Sequence, residues 1–222
     1  MQKTALVFGA TGLVGSFLVN ELAENEIYEK VKVFNRRKQH YTHNKIIEIQ
    51  IDFDKIGEYV HEFKGHDAYC CLGTTIRKAG SKEKFFKIDH DLPVEIAKIC
   101  STNEVGTFIA VSSIGANADS SNYYLRTKGL MELHIQEFEF DQLAFVRPSM
   151  LLGPRKEFRF GELIGKAVMF PVNYLLFGNL KKYKAIHSKT VAKAMLQIAN
   201  MPVHKLFFES NELSEIAKNK NV

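Results

Sequence analysis

Short runs rich in β-branched and aromatic residues alternate with helical stretches, and this alternation restricts the fold more than any other feature. The runs are TALVFG (4–9), VKVFN (31–35), KIIEIQI (45–51), DAYCCLG (67–73), GTFIAVSS (106–113) and DQLAFVRP (141–148). Helical periodicity covers residues 13–23, 82–100 and 122–137. Strands joined through helices pair in parallel by right-handed crossovers, which covers both faces of the sheet. The expected fold is α/β, a doubly wound parallel sheet. After Pro148 the pattern loosens, and a helix over 188–200, a strand over 205–209 and a helix from 211 follow. No repeat, low-complexity tract or Pro/Ser-rich linker divides the 222 residues, so one domain over 1–222 is expected.

The first run enters Gly9-Ala-Thr-Gly12-Leu-Val-Gly15, and a helix follows at once. A doubly wound sheet binds ligands at the carboxyl ends of its strands. There Gly9 permits a tight turn, Gly12 lets backbone N–H groups approach a pyrophosphate, and Gly15 lets helix lie against strand. The helix start, with Leu13 and Val14 in its first turn, directs unpaired N–H groups and a positive dipole end at the phosphates, and Thr11 offers a hydroxyl. The spacing is one residue wider than the commonest dinucleotide fingerprint. A Gly-rich turn that only packs tightly is the alternative, but the strand before and helix after favour a Rossmann-like cofactor site.

The second run ends VFNRRK, with no acid between Val31 and Gln39. A site selecting NAD normally holds the ribose 2′-hydroxyl with an acid there. Asn35, Arg36 and Arg37 stand in that place instead, and guanidinium groups suit a 2′-phosphate. The expected cofactor is NADPH/NADP rather than NAD. After the third run, IDFD places Asp52 near the adenine amine and Phe53 beside the ring.

The fifth run ends VSSIG, and Tyr124 and Lys128 in YYLRTKG follow Ser113 by 11 and 15 residues. Tyr124 and Lys128, four apart, share a helix face, whereas Tyr123 lies about 100° further round. A tyrosine with a pKa of about 10 needs a neighbouring ammonium to work near neutrality. A serine at the strand end can donate to a substrate oxygen as charge develops. Ser112 and Ser113 point to opposite faces; Ser113 is preferred, with Ser112 the alternative.

These motifs resemble the short-chain dehydrogenase/reductase superfamily in its extended or atypical branch. CCLGTTIRKAGS (70–81), VSSIGANADSSNYYLRTKG (111–129) and VRPSMLLGPR (146–155) resemble more narrowly the Tat-interacting-protein family of NADPH-binding members. The resemblance implies that Leu72, Gly73, Thr74 and Thr75 pass along the cofactor and that Lys128 holds the nicotinamide ribose. It also implies that Arg147, Pro148, Ser149 and Met150 lie beside the nicotinamide. Extended members often carry Asn in the helix before the fifth strand, where FFKIDHD offers Asp89. A carboxylate there is placed to pair with Lys128 rather than organise a proton-relay water.

Charge narrows the partners. Seven Lys/Arg against two Glu over residues 155–184 account for the whole net charge of +5. With no nucleic-acid motif beside it, that surplus reads as a rim for an anionic ligand, so no nucleic acid is expected. The same segment, 155–184, is aromatic and reads as a substrate-side wall or a partner surface; Pro171 and Asn173 interrupt its apolar part, so no stable membrane insertion is expected. The expected location is cytoplasmic. Cys70, Cys71 and Cys100 suit neither a zinc site nor a disulfide framework, and lone His66 and His187 read as structural or solvated. The expected partner is a small-molecule carbonyl substrate, and a homodimer is compatible with the segment. The function read here is NADPH-dependent hydride transfer, with Tyr124 as acid, Ser113 as oxyanion donor and Lys128 as anchor. The alternatives are an NADPH-binding regulator with little turnover and a nucleotide-sugar epimerase or dehydratase.

Overall fold

A computed structural model describes residues 2–154, 178–202 and 205–218. Expectations that fall on residues 155–177 lie outside them. The main sheet contains β1 (Lys3–Phe8), β2 (Tyr28–Asn35), β3 (Ile46–Gln50), β4 (Asp67–Cys70), β5 (Thr107–Val111), β6 (Gln142–Arg147) and β9 (Phe207–Glu209). All pair in parallel in the order β3-β2-β1-β4-β5-β6-β9. The chain winds outward from β1 to β3 and returns to β4 on the other side. β1 and β4 therefore flank the switch point where such sheets bind ligands.

Side-chain alternation assigns the two faces. Val7, Val33, Tyr69, Ile109 and Val146 point to one core, shared with α1 (Leu13–Glu24), α6 (Ser188–Ala199) and α7 (Ser210–Ile216). Phe8, Phe34, Cys70, Phe108 and Phe145 point to the other, against α4 (Leu92–Thr102) and α5 (Tyr123–Ile135). Phe8 stacks on Phe34 at 4.5 Å between ring centroids, and Phe63 closes on both at 5.0 and 4.9 Å. Burial on both faces explains why the strands read as nearly continuous apolar runs.

The helical stretch read over 82–100 is not uniform. It contains α3 (Lys82–Phe86), a π turn (Lys87–Asp91) and α4, joined end to end. Pro93 has no N–H to give the carbonyl of Asp89, four residues back, and the helix widens there instead of breaking. The pattern also gave no sign of the 3-10 segment Phe53–Glu62, the short α2 (Ile76–Ala79), or the pair β7 (Leu151–Leu152) and β8 (Ile186–His187). Two-residue strands are too short to carry a period.

At the amino edge of the sheet, far from the switch point, lies a buried polar knot. Tyr28 donates to Asp67 at 2.5 Å and meets the Tyr69 hydroxyl at 2.7 Å, while Lys3 pairs with Asp67 at 3.0 Å. His66 accepts the Thr4 N–H at 3.0 Å, and His187 caps α6 by accepting the Lys189 N–H at 3.2 Å, so both histidines are structural.

Candidate functional site

The glycine loop is built by contact. Gly9 has φ +83°, and a Cβ there would stand 2.6 Å from the Cys71 carbonyl carbon. A Cβ on Gly15 would stand 2.3 Å from the Gly9 oxygen, so α1 reaches the strand only because that Cβ is missing. Gly12 closes the turn by donating to the Gly9 carbonyl at 2.9 Å. It is the N-cap of α1 and has no side chain to satisfy the first N–H groups, and the first turn carries no acid. That leaves a cradle for an anion at the positive end of a 12-residue helix. A dinucleotide pyrophosphate fits this donor set.

Across the switch point, Tyr124 and Lys128 project from α5. The Lys128 ammonium is buried, 3.0 Å from Asp89 Oδ1 on the π turn and 3.5 Å from the Val111 carbonyl at the end of β5. The Asp89 contact is close but off the hydrogen-bond line, so charge rather than an aligned bond holds it. Asp89 Oδ2 accepts the Thr74 N–H at 2.8 Å, which ties the loop after β4 to the same carboxylate. Burial disfavours the charge on Lys128, but Asp89 and Tyr124 outweigh it and hold its pKa above the ordinary value. Tyr124 lies against Phe85, with centroids 5.8 Å apart, and its hydroxyl has no hydrogen bond among the described residues. Tyr123 is occupied elsewhere, donating to the Lys82 carbonyl at 3.1 Å.

Gly129, next to Lys128, sets the seat of α5. A Cβ there would stand 2.2 Å from the Ala118 nitrogen, so the loop after β5 lies directly on the helix. The two serines differ. Ser112 is buried and its hydroxyl has no partner, whereas Ser113 is partly exposed and donates weakly to the Ile114 carbonyl at 3.3 Å.

Beyond β2 and β3 opens a cleft of about 370 Å³ lined by Arg36, Gln50, Ile51, Asp52 and Tyr59. Arg36 and Arg37 are exposed at its edge of the sheet.

The chain matches the NAD(P)H-binding family over residues 9–202. It belongs to that family. It is 35% identical over 203 residues to Protein HTATIP2 of Rattus norvegicus, covering 88% of this chain and 80% of that one. It is 33% identical over 228 residues to Protein FMP52-1, mitochondrial, of Scheffersomyces stipitis, covering 97% of this chain and 99% of that one. Among solved structures it resembles the Bordetella bronchiseptica enzyme WbmH in complex with NAD+, with a TM-score of 0.70 and 14% identity over 98% of this chain and 80% of that chain. This NAD(P)H-binding protein shares the Rossmann-like fold of that NAD-bound enzyme. The expected cytoplasmic location does not stand, because a relative matched along its whole length is named mitochondrial. A mitochondrial address does not need the long apolar stretch on which that expectation turned. Among the described residues no helix is long and apolar enough to cross a membrane.

Several residues read as cofactor contacts also hold structural bonds or packing positions. Val14 is buried in the core, so only its backbone faces the cradle. Asn35 is buried and bonds Tyr41 and Glu48. Phe53 packs into the core, and Tyr59 is the aromatic of the cleft; no spacing rule pointed to it. Asp52 lines that cleft, but one of its oxygens accepts the Asp54 N–H at 3.0 Å. Thr75 caps α2 by accepting the Lys78 N–H at 3.2 Å. Arg147 is taken up by Glu132, at 2.8 and 2.5 Å, and lies 3.8 Å over the Phe207 ring. Ser149 is tied to Ser210 and to the Lys184 carbonyl, while the Pro148 and Met150 carbonyls accept from Ile114 and Ile186. Leu72 lies on the core edge with its nitrogen against Gly9; Leu13 is partly buried, and Thr11 and Gly73 are exposed. Burial pushes the Cys70 thiol up to about 11 and the Cys71 and Cys100 thiols well above their ordinary value, which disfavours the thiolate.

Proposed function

We propose that the protein reduces a small carbonyl compound at the expense of NADPH. The observation that carries this reading is Tyr124, whose hydroxyl has no hydrogen bond among the described residues, one helical turn from the buried ammonium of Lys128 at the end of β5. The nicotinamide, when bound, supplies the hydride. The backbone of Gly9–Gly15 holds the pyrophosphate, and Arg36 and Arg37 take the 2′-phosphate. Lys128 meets Asp89 through charge and gives one N–H weakly to Val111, which leaves N–H capacity for the nicotinamide ribose. Tyr124 gives its proton to the carbonyl oxygen as negative charge develops there. Ser113 donates a hydrogen bond to the same oxygen. Its partial exposure supports it over Ser112, which is shut in the interior.

The test is a panel of aldehydes and ketones offered to purified protein with NADPH, following loss of the reduced cofactor. Turnover that disappears in Tyr124→Phe supports the reading. A second reading, a cofactor-binding regulator with little turnover, draws on Asp89, which neutralises the cation meant to activate the tyrosine. Tight NADPH binding with no turnover across the panel would favour it.

A further inference from the structure

The segment between β2 and β3 bears the cations Arg36, Arg37 and Lys38, with His40 and His43 following. It has no regular secondary structure from Arg36 to His43, and residues 36–40 are exposed. A loop of that kind, left to itself, would spread its cations over many directions, yet this one is fastened from beneath.

The fastening is one carboxylate oxygen. Glu48 Oε1, on β3, accepts the Asn35 side-chain amide at 2.8 Å and the Gln39 backbone N–H at 2.8 Å. Asn35, the last residue of β2, is 4% exposed and gives its side-chain amide also to the Tyr41 hydroxyl at 3.0 Å. One acceptor therefore grips the loop at both ends of Arg36–Lys38. Further ties reinforce it: the Gln39 side chain donates to the Arg37 and Lys38 carbonyls at 3.2 and 3.1 Å. Gln50 donates to the Arg36 carbonyl at 3.4 Å. The backbone between Asn35 and Gln39 is thus held by its own carbonyls and N–H groups, and its cationic side chains point outward. No ion pair within 4 Å is formed by Arg36, Arg37 or Lys38 among the described residues.

The same contacts dispose of the acid. Glu48 is a carboxylate bonded to the last residue of β2, a place where an acid facing the cofactor would favour a ribose hydroxyl and repel a phosphate. One Glu48 oxygen is engaged by two donors of the loop, and Glu48 is not among the described residues that line the cleft of Arg36, Gln50, Asp52 and Tyr59.

The geometry points to Glu48 as a positioning residue that sets the choice between the two nicotinamide cofactors. Through the Asn35–Glu48–Gln39 clasp it presents Arg36 and Arg37 as a preformed receptor for the 2′-phosphate. This rests on the NADPH reading above and adds to it the residue that aims the arginines. Glu48 need not touch the cofactor. Preorganisation removes the ordering cost of the loop, and that cost is otherwise charged only to a ligand that uses the arginines.

Calorimetric titration of NADPH and NADH into wild type, Glu48→Ala, Glu48→Asp and Glu48→Gln tests it. The expected result is a preference for NADPH in wild type that falls about tenfold in Glu48→Ala, the order of one lost charge-assisted hydrogen bond. NADH affinity should stay within about twofold, since it does not use the loop. Glu48→Gln keeps an acceptor oxygen and should restore most of the preference. Glu48→Asp keeps the charge but not the reach and should behave like the alanine variant, which provides the answer if Glu48→Ala does not fold. Unchanged preference in both the Ala and Asp variants, or equal weakening of both cofactors, overturns the clasp while leaving the NADPH reading in place. A wild type that binds NADPH and NADH equally overturns the NADPH reading and the clasp with it.

Discussion

Lys128 Nζ and Asp89 Oδ1 lie 3.0 Å apart, and both side chains are almost wholly removed from water. They come from different helices, α5 and the π turn before α4, 39 positions apart in the chain. Removing one member of such a pair strands the other as an uncompensated buried charge. Asp89→Asn is expected to cost roughly 3–5 kcal/mol, at roughly 2–4 °C of melting temperature per kcal/mol for a chain of this size. The double variant Asp89→Leu/Lys128→Met should recover much of that loss, because it buries no charge. Urea unfolding of the three proteins measures it, and a single variant within 0.5 kcal/mol of wild type, an ordinary surface effect, would remove the pair from the stability account.

The alkaline limb of stability follows from groups whose pKa is raised on folding. In Lys128, burial opposes the charge, but Asp89 and Tyr124 prevail and favour the protonated form. Burial first, then the Asp67 charge, pushes the Tyr28 phenol far up, and burial followed by the Tyr28 and Asp67 charges does the same to Tyr69. A pKa raised on folding means stability that is complete below the unfolded value and lost as pH rises toward the folded one. Stability should therefore hold up to about pH 10, the ordinary phenol value, and fall beyond it. Tyr28→Phe should cost about 1–3 kcal/mol near neutrality, since Asp67, Tyr69 and Asn200 lose a partner, and should make the alkaline fall shallower. Denaturation curves at stepped pH values decide this, and an equally steep fall in the variant would point to other groups.

Tyr124→Phe separates chemistry from binding. The ring still packs on Phe85, so NADPH affinity should change by less than about threefold, while loss of the transferable proton should lower turnover by about 10²–10⁴. Single-turnover kinetics on the best substrate of the carbonyl panel measures both. Undiminished turnover would take Tyr124 out of the mechanism.

Arg36→Ala should weaken NADPH by about 1.5–3 kcal/mol, the range of a hydrogen bond to a charged group, and leave NADH nearly untouched. The residue is exposed and lines the cleft beside Asp52 and Tyr59, so folding should be unaffected. Titration with 2′,5′-ADP and 5′-AMP reads the 2′-phosphate contribution directly. Equal affinity for the two fragments in wild type would mean that Arg36 faces solvent only.

The parallel sheet was legible because its central strands β1, β4, β5 and β6 are largely buried on both faces and therefore apolar over most of their length, a signal that survives without any partner in view. Gly9 and Gly15 were legible too. Their roles depend on a strand and a helix adjacent in the chain, where a missing Cβ has local consequences. The pairing of Asp89 with Lys128 was half legible, since it required a known place in a resembled family rather than a spacing rule. What Arg147, Ser149 and Thr75 bind within the fold was not legible. Each sits beside the cofactor edge in sequence order, but hydrogen bonds to Glu132, to Ser210 and Lys184, and to the Lys78 N–H turn their polar groups to structural use.

What the sequence by itself determined was whatever repeats along the chain or acts within one turn: strand and helix periods, the glycine loop, and Tyr124 and Lys128 on a common face. These follow from backbone sterics and local hydrogen bonding, which need no distant residue. What only the tertiary structure decided was the occupation of each polar group. Asn35 faces Glu48 because β2 and β3 pair in one register, and Asp89 faces Lys128 because Pro93 widens the helix while Gly129 lets α5 sit close to the loop after β5. A buried donor or acceptor takes whichever partner the packing brings within reach, since leaving it unpaired costs more than the bond itself returns. That choice is made in three dimensions.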